Sequence, residues 1–395
     1  MASLYLAVAA VGVGQVMVFV MLPVIADATG IGPGGISVAM AAGILAFLPA
    51  TLFWGPMSDR RGRHAVMLLG SLGVLLGQLL LILGLEAGAA GLLGPDAALL
   101  VLTLSRVVYG GSAAALLPVA RARIGDSVPG SRQVAAFGAL GVALSLGRFT
   151  GPLLASLLIL VAPFAPAYAL FAIALATSAA LLLHRFPEPE AAATGRRTRL
   201  RCDRRILRLA AAVLCMTAVV GHLQFTVGLH IQSRLGLDPL AAAQAVGLLL
   251  TVAAAATLGA QVLIVRRLRA AAATPLALAC GAMALGVASI YAAESHLPLV
   301  LGAAAVGGAV AVAVPICLSG ATGIAGPESR GGALAILSAA QTLGFAVGAL
   351  AGGTYAVCPA LSYACAFAVA VSAPLLARGG LAGAPARASD GAEGA

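Results

Sequence analysis

Apolar runs of about twenty residues follow one another along almost the whole chain, cut by short clusters of Arg, Pro and Gly. An α-helix that crosses a bilayer needs about 20 apolar residues, so each run predicts one span. The first six fall near residues 4–26, 36–57, 65–85, 97–120, 133–161 and 165–184. The second six fall near 206–231, 241–265, 274–293, 297–319, 331–353 and 356–377. The opening Met1-Ala2-Ser3-Leu4-Tyr5 lacks the basic start of a secretory signal, and its apolar run continues to Ile25, so it is expected to stay as the first span.

Composition strengthens this picture. Of 395 residues, 61% are hydrophobic and 9% charged, against about 25% charged in a soluble domain. A mean hydropathy of +1.06 with no long polar block makes the bilayer the solvent for nearly all of the chain and excludes a soluble enzyme. The net charge of +10 would suit nucleic acid in a soluble protein. Here it is set by arginines in short clusters between apolar runs, so no nucleic-acid partner is expected. Six cysteines, with no C-x-x-C pair, read as small buried hydrophobes; no metal site and no cofactor is expected.

The arginines also set the topology. With a cytoplasmic N-terminus the inside segments hold Arg60, Arg61 and Arg63, then Arg121, Arg123 and Arg132, then eight from Arg185 to Arg208, and finally Arg266, Arg267, Arg269, Arg330, Arg378 and Arg387. The outside loops hold only Arg234, which obeys the positive-inside rule and requires an even number of spans in each half. Four parts follow: a six-helix bundle at 1–184, an Arg-rich cytoplasmic linker at 185–205, a second bundle at 206–378 and a disordered cytoplasmic tail at 379–395. A weak repeat supports the halves: Ser131-Arg132 leads into Gly147-x3-Gly151 as Ser329-Arg330 leads into Gly344-x3-Gly348. The expected fold is all-α, with 12 transmembrane helices in two pseudo-symmetric six-helix bundles.

Three motifs carry chemistry. Between the second and third spans stands Gly55-Pro56-Met57-Ser58-Asp59-Arg60-Arg61-Gly62-Arg63-His64, where Gly55 suits a close helix approach, Gly62 a tight turn, and Asp59 the positive end of a neighbouring helix. The fourth span carries Arg106-x3-Gly110, a cation inside the membrane and so a functional position by default. The fifth carries Gly138-x8-Gly147-x3-Gly151-Pro152, a smooth face for helix packing with a bend. These segments resemble the conserved loop, the R-x-x-x-G motif and the antiporter signature of the major facilitator superfamily, in its twelve-span drug:proton antiporter branch; Met57, His64 and Ala155 depart from the pattern. The resemblance implies that Asp59 faces the eleventh span, that the loop arginines meet Asp126, and that the cluster locks the cytoplasmic side in the outward-open state. It also implies proton-coupled efflux of a small organic molecule, a drug or siderophore-like metabolite, by alternating access across a cell inner membrane. The alternative in the same fold is an importer or facilitator of a sugar or organic acid.

The pattern leaves the coupling proton without an obvious seat. Asp27, Glu86 and Glu294 fall near outer ends of spans, Asp59 and Asp126 in inner loops. The proton-relay candidates are therefore Arg106, Asp27 and His222, with His230 a further titratable group on the same helix. Polar groups placed to line a cavity are Gln15, Arg106, Arg148, Gln224 and Gln341, and two arginines without a buried counter-ion suit an anionic solute better than a cationic drug. No nucleophile elbow, metal-ligand cluster or phosphate-binding loop is present, so no enzyme activity is expected. The expected partners are the solute, the proton and membrane lipid, with the chain acting as a monomer.

Overall fold

A computed structural model describes residues 2–128, 130–184, 203–264 and 273–381, with backbone alone at 130–135 and 326–328. Most of the segment read as linker, the tail beyond 381, and Arg266, Arg267 and Arg269 lie outside the described residues. Twelve helices are long and apolar enough to cross a membrane: span 1 Ala2–Thr29, span 2 Pro33–Arg61, span 3 Arg63–Ala89, span 4 Pro95–Ser127, span 5 Ala136–Ile159 and span 6 Ala165–Leu183. They continue as span 7 Arg204–Leu235, span 8 Pro239–Leu263, span 9 Ala273–Tyr291, span 10 His296–Ala325, span 11 Ser329–Ala356 and span 12 Pro359–Leu381. No strand occurs among the described residues. Helices satisfy every backbone polar group internally, which hydrocarbon demands. The chain is an all-α, multi-pass membrane protein.

The boundaries have local causes. Spans 2, 4, 8 and 12 begin at Pro33, Pro95, Pro239 and Pro359, where the missing N–H costs nothing. Asp203 and Asp238 cap spans 7 and 8, their carboxylates accepting from the amides of Arg205 at 2.8 Å and of Leu240 and Ala241 at 2.9 Å. Span 4 differs from expectation. It consists of two helices, Pro95–Ala113 and Leu116–Ser127, because Pro118 has no N–H to give to the carbonyl of Ala114. The second piece reaches seven residues past the expected end at 120, so Asp126 sits in the last helical turn instead of a free loop. At the other end of the chain, residues 379–381 continue span 12 and are not part of a tail.

Each half has its own core. Residues from Ile206 to Leu381 form one cluster, and Leu4 to Leu181 form two more; Phe225 and Ala243 of the second half join one of these, with Leu229, Leu240 and Leu250 packed against it. Within each half the glycine pairs of the repeat seat one helix on another. A Cβ at Gly147 would collide with the Ala9 carbonyl and meet the Val13 amide at 2.9 Å, and one at Gly151 would meet the Val13 carbonyl at 3.1 Å. In the second half a Cβ at Gly344 would collide with Leu214 and Thr217, and one at Gly348 with Ala218 and the His222 amide. Span 5 therefore lies on span 1 as span 11 lies on span 7. Gly138, expected on the same smooth face, has nothing within 4 Å and is no part of this packing.

The halves meet at the end opposite loop 2–3. Gly228 sits against Pro23, Gly247 against Ser156 and Pro152, and Gly353 against Ser37. The Ser156 hydroxyl, already bonded to the Pro152 carbonyl at 3.0 Å, also lies 3.4 Å from the Gln244 carbonyl of span 8. Toward loop 2–3 the same helices separate. Span 2 is largely buried up to Gly43 and beyond it only at Ser58. Span 8 is buried at Ala242, Ala243, Val246, Gly247 and Leu249, then only at Ala260. The gap between the halves thus opens on the loop 2–3 side.

The two glycines on span 5 give a direct test of this packing. Gly147→Leu should cost about 1–3 kcal/mol by overpacking, read as a lower Tm of the detergent-purified protein, whereas Gly138→Leu should leave Tm unchanged.

Candidate functional site

Loop 2–3 is a single residue, Gly62, between spans 2 and 3. Its φ of 91° is left-handed and requires glycine, as the sequence suggested. The turn brings Arg63 back one helical turn onto Asp59, with Nη1 2.5 Å from Oδ1, and its Nε reaches Asp126 Oδ2 at 3.0 Å. Nη1 also donates to the Ser58 hydroxyl at 2.5 Å. The expected meeting of a loop arginine with Asp126 is present. Two other expected contacts are not made in this conformation. Asp59 faces Arg63 of its own half, with 61% of its side chain exposed, and Gly55 has nothing within 4 Å where a close helix approach was expected. Both follow from the separation of the halves on this side. Arg60 points to solvent.

Deeper in the first half, three residues form a ladder on spans 4 and 5. Arg106 is 3% exposed. Its guanidinium lies 5.0 Å from the centre of the Tyr109 ring, a cation–π contact, and its Nη2 and Nε approach Gln78 Oε1 at 3.3 Å and Ser105 Oγ at 3.4 Å. Span 2 closes over it, a Cβ at Gly43 meeting the Arg106 Cβ at 2.8 Å. The Tyr109 hydroxyl donates toward the Val11 carbonyl of span 1 at 3.4 Å. Arg148 behaves differently. It is exposed, and both its Nε and Nη2 donate to Gln15 Oε1, at 3.1 and 2.9 Å. Gln15 shares its helix face with Phe19 and Pro23, which line a small apolar cavity against Phe225 and Gly228 of span 7. The exposed surface of Arg148 and Gln15 therefore opens on the gap between the halves, just below the region where they close.

Electrostatics make this pair unusual. The ion pairs described are both on Arg63, so neither Arg106 nor Arg148 has a carboxylate partner among the described residues. Asp27 lies twelve residues beyond Gln15 on span 1, about 18 Å along the axis, and is exposed at the helix end, near the interface where it was expected. An arginine at mid-membrane costs on the order of 2.5–3.5 kcal/mol even with relaxation of its surroundings. Two such cations held only by amides, a hydroxyl and a ring are poised for negative charge. They are not equivalent, however: the sequence grouped both arginines as cavity-lining, and burial removes Arg106 from the gap.

On the second half, His222 is 3% exposed, edge-on to Tyr363 at 5.3 Å between centroids, and its Nε2 is buried without a hydrogen-bond partner. Two turns along, His230 has both ring nitrogens engaged: Nε2 donates to the Tyr291 carbonyl at 3.1 Å, and Nδ1 lies 3.1 Å from the Tyr355 hydroxyl, which is itself 2.8 Å from Ser233 Oγ. Gln224 is half-buried one turn before Gly228, and Gln341 is half-buried three residues before Gly344; neither has a partner among the described residues. Among the described residues no hydrogen bond joins these amides to the arginine ladder. Sequence reading passed over Gln78, Tyr109 and Tyr363. A signal existed for the first two: a lone amide in apolar span 3, and a ring one turn after Arg106 on the same face.

Two helical bundles that meet at one end of the membrane, part at the other and present an uncompensated cation in the gap define a membrane transporter. Comparison with known proteins agrees. The Major Facilitator Superfamily family model matches residues 4–293, and the chain belongs to that superfamily. A comparison with curated proteins gives no match. Among solved structures, a D-xylose-proton symporter superposes with a TM-score of 0.75 at 14% identity, covering 95% of this chain and 96% of that one. A bacterial homologue of the human lysosomal transporter Spinster, inward-facing and unoccupied, gives 0.71 at 16% identity, with 96% and 94% covered. The human organic anion transporter MFSD10 (TETRAN) gives 0.61 at 20% identity, with 96% and 97% covered.

The two polar clusters should respond differently to mutation. Gln78→Leu leaves a buried guanidinium short of an acceptor and should destabilise by about 1–3 kcal/mol. A double-mutant cycle on the solvent-facing Asp59–Arg63 pair should return a coupling of less than about 1 kcal/mol; chemical unfolding of the purified variants measures both.

Proposed function

We propose that this protein is a secondary transporter that expels a small organic molecule from the cytoplasm by alternating access, in exchange for protons. The observation that carries this reading is the one-sided access to Arg148 and Gln15, which open toward loop 2–3 and are shut off at the other end by the contacts at Gly228, Gly247 and Gly353. The arginine clusters support a cytoplasmic loop 2–3 side with both termini on it, and the reading takes the membrane to be the plasma membrane. The conformation is then inward-open. Closing this side and parting the other would present the same residues outward.

In that cycle Gly55, Asp59, Arg60, Gly62, Arg63 and Asp126 form the cytoplasmic lock. With the halves apart Asp59 pairs with Arg63, and in the closed state it would exchange that partner for the start of span 11. The span 5 signature supports an outward direction, and its Pro152 end takes part in the contact with span 8. For the coupling proton, the described carboxylates lie at span ends, and His222 is the mid-span titratable group whose ring nitrogen lacks a partner. A symporter that carries protons shares the fold, which supports coupling of this kind.

Inverted membrane vesicles test the reading. An acid lumen should drive accumulation of the exported solute, and collapse of the gradient should abolish it. His222→Gln should retain solute–solute exchange yet lose the response to the gradient. Transport that ignores the gradient in the parent protein leaves a uniporter, and accumulation driven by the reverse gradient leaves an importer.

A further inference from the structure

Resting on the transporter reading, we infer that the solute is a monoanion with an uncharged body, its single anionic group seated on the terminal nitrogens of Arg148. Gln15 Oε1 occupies one edge of the guanidinium, taking Nε and Nη2 at 3.1 and 2.9 Å. This leaves the end-on edge, Nη1 with the second N–H of Nη2, without a partner among the described residues, on a side chain that is exposed. That fork matches the two oxygens of a carboxylate. The Gln15 side-chain NH2, with no partner among the described residues, supplies a third donor beside the guanidinium. Gln15 thus does two things: it fixes the orientation of a long side chain before the solute arrives, and it does so with a neutral oxygen that leaves the charge uncompensated.

The count of one charge comes from burial. Arg106 is sealed by span 2, Tyr109, Gln78 and Ser105, so a solute in the gap reaches one cation of the ladder and not the other. Across the gap, the middle of span 7 offers the half-buried amide of Gln224 beside Phe225 and Gly228, while its arginines Arg204, Arg205, Arg208 and Arg234 lie at its two ends. A second negative group on the solute would face amide and apolar surface, and a positive group would face Arg148. An apolar or amide-bearing body fits both walls.

Purified protein in nanodiscs, assayed for saturable binding of radiolabelled decanoate, tests the assignment, with decanedioate and decyltrimethylammonium as competitors of equal chain length. Decanoate should outcompete each by at least tenfold, Arg148→Gln should weaken decanoate binding at least tenfold, and Arg148→Lys, which restores the charge without the fork, should recover only part of the loss. Exposed Arg378→Gln should leave binding unchanged. Absence of saturable decanoate binding to the parent, equal binding of the cation, or unchanged binding in a well-folded Arg148→Gln protein overturns the inference. If Arg148→Gln fails to fold, Gln15→Ala decides: at least threefold weaker binding supports the site, and no change overturns it. Decanoate binding through Arg148 without any gradient-driven transport keeps the anion site and removes the coupled-export reading. Gradient-driven export of a cationic solute that is indifferent to Arg148→Gln does the reverse.

Discussion

Span 5 can lie on span 1 only because Gly147 and Gly151 have no side chains where the backbone of Ala9 and Val13 passes. Everything of interest in the first half depends on that approach. In hydrocarbon there is no hydrophobic drive to press helices together, so close packing of small residues has to supply the attraction. Once the two backbones touch, the residue beside Gly147 is carried into hydrogen-bonding range of Gln15. Arg148 is then neither at a helix end nor facing lipid, and its charge is delivered to the gap between the halves. The equivalent approach of span 11 to span 7, through Gly344 and Gly348, places no cation there, since Phe345 stands in the place of Arg148. The pseudo-symmetry of the packing thus supports an asymmetric distribution of charge.

Closure at the far end uses a related device on a different set of contacts. Gly228, Gly247 and Gly353 all belong to the second half and each receives a residue of the first, namely Pro23, Ser156 and Ser37. Contacts of this size are easily made and easily parted, which suits surfaces that separate and rejoin in each transport cycle. On the loop 2–3 side the polar cluster around Arg63 stays within one half. Its exposed ion pairs are individually weak, so they can exchange partners when the halves approach.

Much of the fold was legible along the chain. Apolar runs of one bilayer thickness, cut by arginines whose alternation demands an even count of spans, lead to twelve helices whose positions match those in the structure to within several residues. Two ends differ: span 4 breaks ahead of Pro118 and its second piece runs to Ser127, and span 12 runs on to Leu381. Gly62 was readable as a turn because a one-residue connection between two helices leaves few alternatives to a left-handed glycine.

The sequence by itself determined the number of spans, the clustering of arginines between them and the list of polar groups that the membrane would have to accommodate, because hydropathy and charge act residue by residue. Which of those groups share a space was decided only by the tertiary structure. Arg106 and Arg148 read alike in a string of letters, each a lone cation in an apolar helix. Folding buries one against Gln78 and Tyr109 and leaves the other open beside Gln15, since accessibility depends on which helix packs over a side chain and that neighbour is distant in sequence. The side on which the halves part was likewise settled by packing, through contacts between residues as far apart as Ser37 and Gly353.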